Sequence, residues 1–125
     1  MFRFHKPRPT LSLFHRSQVP QSVALLNHIQ AHSAVKKQLV QLEVATYKPS
    51  KDQLQIITGY LGGGYAAGKL VQGANGLEDA VRILEEDETK LNVPFLVEWF
   101  NGKVVLGDDE VKVDQLLGDI EKSAE

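Results

Sequence analysis

The sequence predicts one α/β domain built on a four-stranded mixed sheet, with helices able to cover both faces. Three observations carry that expectation. A strand, a helix and a second strand follow one another within about 35 residues, which reads as a parallel βαβ unit. An Asn-Gly pair between two apolar runs near the C-terminus marks a hairpin, hence an antiparallel pair. Between and after these, apolar residues recur at helical spacing.

Taken in order, Thr10–Phe14 (TLSLF) is a short apolar run suited to a strand. His15–Val19 is a loop, and Pro20 opens a helix, where its missing N–H is harmless. Val23, Leu26 and Ile29 recur every third residue, with Leu25 widening the stripe, so this helix spans about twelve residues. Ser17 and Ser22 are its candidate capping residues. Leu39–Ala45 is the second strand, reached by a right-handed crossover. Ser50 caps the next helix and Gln53 completes a capping box ahead of the stripe Leu54, Ile57 and Leu61.

Gly62-Gly63-Gly64 stops that helix and opens a loose segment reaching Gly76. Asn75 and Glu78 suggest a second capping box, followed by Leu77, Val81 and Leu84 at helical spacing. The acidic run Glu85–Glu88 then opposes the helix macrodipole, so fraying is expected there. Pro94–Phe100 and Lys103–Leu106 flank Asn101-Gly102, read as a two-residue type I′ turn. Trp99 and Phe100 should pack on opposite faces, an exposed one serving as an interface anchor. Asp108, Asp109 and Glu110 occupy the favourable end of the last helix, which buries Val113, Leu116, Leu117 and Ile120. The order β-α-β, two helices, hairpin, helix describes a thioredoxin-like fold. A ferredoxin-like order would need another strand or hairpin, and none is visible between Tyr47 and Leu91.

Composition narrows the chemistry. The 125 residues suit one domain with a core that needs no covalent staples. The sequence contains no cysteine, which excludes disulfides, zinc–thiolate sites and a cysteine nucleophile. No apolar run reaches the roughly 18 residues of a membrane span, so a soluble protein is expected. Residues 1–42 hold six of the basic residues, all four histidines and no acid. Residues 43–125 hold eight basic residues against sixteen acids, a net charge of −8. That remainder has no basic aromatic platform, so nucleic acid is not an expected partner. Residues 1–9 (MFRFHKPRP) form a basic, aromatic, acid-free arm ahead of a domain over 10–125. The arm suits a mitochondrial import signal, although its two prolines prevent a long amphipathic helix. A solvated arm is the alternative.

In a thioredoxin-like fold the working site is the loop after the first strand, at the start of the first helix. Free amides and the helix dipole there stabilise an anion, normally a thiolate. Here Arg16, Ser17 and Gln18 occupy that loop and, with the helix amides, are candidates to hold a carboxylate, sulfate or phosphate. The second landmark is Val93-Pro94, where such folds carry a cis proline preceded by backbone able to pair with a peptide or glutathione; the sequence leaves the isomer open. His28 and His32, four apart on one helix, lack a third ligand and read as surface histidines rather than a metal site. Gly62–Lys69 has no Ser or Thr after the lysine and follows a helix, so it is not a phosphate loop.

The runs Thr10–His15, Pro20–Val23, Asp52–Leu54 and above all Val93–Gly107 (VPFLVEWFNGKVVLG) resemble a fungal family of small mitochondrial thioredoxin-fold proteins with a proposed redox role. The likeness spans nearly the whole chain. It implies a mitochondrial address and an oxidoreductase activity, on small toxic molecules, carried by a cysteine. This sequence departs from that pattern: residues 80–90, where the resemblance places the thiol, read AVRILEEDETK, so no catalytic residue carries over. The expected function is therefore a redox-inactive binding or scaffold module for a protein partner or mitochondrial complex. The alternative is a glutathione-linked enzyme in which the bound thiol supplies the sulfur, held by Arg16, Ser17 and Val93.

Overall fold

The computed structural model describes residues 8–124. Four strands form one mixed sheet in the order β2-β1-β3-β4. They are β1 (Thr10–Phe14), β2 (Gln41–Ala45), β3 (Phe95–Glu98) and β4 (Lys103–Leu106). β1 pairs in parallel with β2 and antiparallel with β3, and β3 pairs antiparallel with β4. Six helices complete the domain: α1 (Pro20–Ala31), α2 (Ser33–Lys36), α3 (Lys51–Tyr60), α4 (Ala67–Leu70), α5 (Leu77–Glu86) and α6 (Glu110–Ser123).

The two-residue period of the strands sorts their side chains into two cores. Leu11, Leu13, Leu96 and Val105 face one side, where they bury Leu25 and Ile29 of α1, Ala34 of α2, and Val113 and Leu117 of α6. Phe14, Ala45, Phe95 and Val97 face the other, against Leu54 and Ile57 of α3, Leu70 of α4, and Ala80 and Leu84 of α5. The longer helices thus turn apolar residues inward, but the stripe of α1 is shifted from the expected one: Ser22, Leu25 and Ile29 are buried while Val23 is exposed, because the sheet meets the helix on the Leu25 side.

Several elements differ from the sequence expectations. The segment after Gly64 is not loose. A 3-10 turn over Gly64–Ala66 leads into α4, and Ala66, Ala67, Leu70, Val71 and Ala74 are buried. Small apolar side chains there let the backbone approach the core, and burial outweighs the flexibility of the glycines. Val71 also bridges Leu91, tying this segment to the approach to β3. Asn75 caps nothing: Gly76 is the N-cap of α5 without a side-chain bond, and Asp79 instead accepts from the Asn75 N–H. That bond, followed by the Arg82 guanidinium, holds the Asp79 carboxyl below the usual carboxylate range. α5 ends within the acidic run, at Glu86. The capping box of α3, Ser50 with Gln53, is present in full.

The hairpin turn is also different. Glu98 pairs with Lys103, so the loop comprises the four residues Trp99–Gly102, not two. Only Gly102 adopts positive φ, at +67°. The cause lies in Glu98, which is buried and accepts from both the backbone N–H (2.5 Å) and the side-chain amide (2.8 Å) of Asn101. Trp99 and Phe100 do part company. Trp99 joins the core edge and donates from Nε1 to Ser12 Oγ at 2.8 Å, while Phe100 is 73% exposed. Ser12 in turn donates to Glu43, which also accepts the Tyr47 hydroxyl and thereby raises the Tyr47 pKa.

Candidate functional site

Phe14 and Phe95 are register partners, and their rings stack 4.5 Å apart. One step further along this antiparallel ladder sets His15, at the start of the loop, beside Pro94, at the approach to β3. The end of the sheet therefore brings together the loop His15–Val19, the first turn of α1 and the Val93-Pro94 segment. The Val93-Pro94 peptide is cis, resolving the isomer that the sequence left open.

The loop is anchored from beneath. Ser22, fully buried in the first turn of α1, accepts the Arg16 N–H at 3.1 Å and lies 2.5 Å from His15 Nδ1. His15 N–H donates to Ala45 O, and Val19 N–H closes a turn onto Arg16 O. Ser17 and Ser22 do not cap α1. The N-cap is Val19, with no side-chain bond, because Ser22 lies inside the helix and Ser17 is exposed two residues before the cap. Among the described residues the N–H groups of Ser17, Gln18 and Gln21 have no hydrogen-bond partner. They are the open donors of a helix beginning.

Of the predicted site residues, Ser17 and Gln18 are exposed, Arg16 and Val93 are half-buried, and Pro94 is buried. Arg16 turns toward the acidic segment: its Nη2 donates to Glu88 O at 2.8 Å. Beside it, Asp87 accepts from the hydroxyl and N–H of Thr89, which hold its carboxyl below the usual range, with smaller help from Lys90 and Arg16. The Val93 N–H is taken by Leu91 O at 3.0 Å, so its donor is not open to a ligand. The Val93 carbonyl has no partner among the described residues, whereas Pro94 O accepts from Gly107. Sequence reasoning overlooked the His15–Ser22 pair. Its signal was a histidine directly after a strand and a serine in the first turn of the following helix.

His28 and His32 both approach carboxylates of α6. His28 Nε2 lies 2.7 Å from Asp114, and His32 joins α1 to α2, where Nδ1 accepts the Ala34 N–H. His32 is thus a junction residue rather than one on a helix surface.

Residues 2–108 match the family described as protein of unknown function DUF1687. The chain belongs to that family. No curated protein matches this DUF1687 chain. Among solved structures it is similar to an arsenate reductase from Vibrio cholerae, with a TM-score of 0.62 and 14% identity. The match covers 87% of this chain and 98% of that one. At that identity the likeness establishes the fold, which is thioredoxin-like, and nothing about the reaction.

Proposed function

We propose that this DUF1687 chain is a thiol-free binding or scaffold module of fungal mitochondria. One observation carries the reading. The helix beginning that stabilises a thiolate in dithiol enzymes is present, but its N-cap is Val19 and the sequence holds no cysteine. Backbone groups left without a partner at this helix beginning support a binding role. The open amides of Ser17, Gln18 and Gln21 suit the acceptor oxygens of a partner, and the Val93 carbonyl suits one donor. The mitochondrial assignment is supported by the family resemblance of Val93–Gly107 and by the basic, acid-free arm of residues 1–9, of which 1–7 lie outside the described residues. Among the described residues no helix is long and apolar enough to cross a membrane.

Reduced glutathione titrated into the pure protein, followed by calorimetry and amide shifts, tests the reading. The expected result is no saturable binding of the free thiol, together with co-purification of the tagged protein with a larger mitochondrial assembly. Saturable shifts at Ser17–Ser22 and Val93, with disulfide turnover in the presence of glutathione, would instead support the glutathione-linked enzyme.

A further inference from the structure

Among the described residues β4 has β3 on one side and no strand on the other, so one row of its backbone donors and acceptors is unpaired in the sheet. A groove of about 1360 Å³ between α6 and the end of the sheet reaches this edge at Val104, Val105, Lys112 and Asp119 and continues to Pro9 and Leu39 on the β1 and β2 side. The exposed Phe100 stands at its end.

The charges along this face complement themselves. Lys112 and Asp119 lie two helical turns apart on one face of α6, symmetrically placed about Gln115 and Leu116. Lys103 opens β4 and Asp108 and Asp109 follow its end. Lys103, Lys112, Asp108 and Asp119 form no ion pair among the described residues.

We infer that this face binds a second copy of the chain through antiparallel β4–β4 pairing about a two-fold axis. A two-fold axis perpendicular to a sheet requires a residue to pair across from its own counterpart or one of equal parity, and Val105 sits at the middle of the apolar edge. Pairing centred on Val105 sets Val104 against Leu106 of the other copy. It also carries Lys103 to the Asp108–Asp109 turn and Phe100 toward the exposed Val111. Both α6 helices then cross the seam on the same side, antiparallel, with Lys112 of each opposite Asp119 of the other. The result is an isologous interface and a continuous eight-stranded sheet. The opposite edge does not fit this role. Self-pairing of β2 about its central residue would set the exposed Glu43 against its own copy, like charge to like.

Sedimentation of the full-length chain over a concentration series tests this, with K112D, D119K and the double variant compared. Both positions are exposed, and circular dichroism confirms that each variant is folded. The wild type should dimerise, and each single reversal should weaken association about tenfold or more by placing like charges opposite twice per dimer. The double variant should recover it, since the swapped charges meet again. A wild type that stays monomeric up to its solubility limit, singles that associate as well as the wild type, or a double as weak as the singles would each overturn the inference.

Discussion

The Ser22 hydroxyl accepts the Arg16 N–H and lies 2.5 Å from Nδ1 of His15, so one buried oxygen holds the start of the loop to the start of the helix. A hydroxyl at that place, itself fully buried, keeps a backbone N–H and an imidazole nitrogen satisfied.

Removing it should be expensive for so small a change. Ser22→Ala leaves both groups without their partner and is expected to lower stability by about 1–3 kcal/mol. Urea unfolding measures the loss. Amide shifts should concentrate at His15–Gln18 rather than spread across the sheet.

The stacked pair Phe14 and Phe95 joins the two central strands at the end nearest the site. Phe95→Ala should destabilise by about 3–5 kcal/mol through lost burial and the cavity left behind. Phe95→Leu, which refills most of the space, should recover much of that in the same denaturation experiment.

The hairpin turn offers a backbone test. A side chain on Gly102 would adopt an unfavourable φ of +67° and meet the Tyr60 ring at 3.0 Å. Tyr60 cannot swing away without giving up its bond to Trp99 O. Gly102→Ala is therefore expected to cost about 1–2 kcal/mol from the backbone conformation, read as a lower urea midpoint. Tyr60→Phe in the same background should show no further loss beyond its own missing hydrogen bond.

Acid should loosen the last helix. The Glu121 carboxyl is held below the usual range, first by the Ser33 hydroxyl and then by Lys37 and His32. A carboxylate whose folded pKa is depressed stabilises the fold above its unfolded value, and that contribution is lost as the pH falls through the folded value. Hydrogen exchange of α6 and Ser33–Lys37 should consequently quicken below about pH 4. Glu121→Gln should flatten this part of the dependence.

Much of the architecture was legible in local sequence. Thr10–Phe14 and Pro20–Ala31 have the predicted boundaries because each combines a clear apolar pattern with a local stop or start, the loop at His15 and the proline at position 20. The capping box at Ser50 and Gln53 was readable for the same reason, since both bonds lie within four residues. The hairpin was read in existence and misread in form. Asn101-Gly102 permits a tight turn, but the buried Glu98 carboxylate captures Asn101 and lengthens the loop to four residues.

The candidate site was legible as a location rather than as a set of contacts. Arg16, Ser17, Gln18, Val93 and Pro94 could be named because topology brings the loop after the first strand beside the approach to the third. That Arg16 reaches Glu88, 72 residues away, has no local trace. The Val93 N–H, by contrast, is taken locally by Leu91 O two residues back.

By itself the sequence determined the order of the strands and of the longer helices, the two-sided burial and the lack of any thiol, because period, capping and composition act over a few residues, whereas the four-residue helices α2 and α4 were not legible. Only the tertiary structure decided which polar groups remain open and which are consumed. Those outcomes depend on partners distant in the chain, and a hydrogen bond between them exists only once the two cores have placed them within about three ångströms.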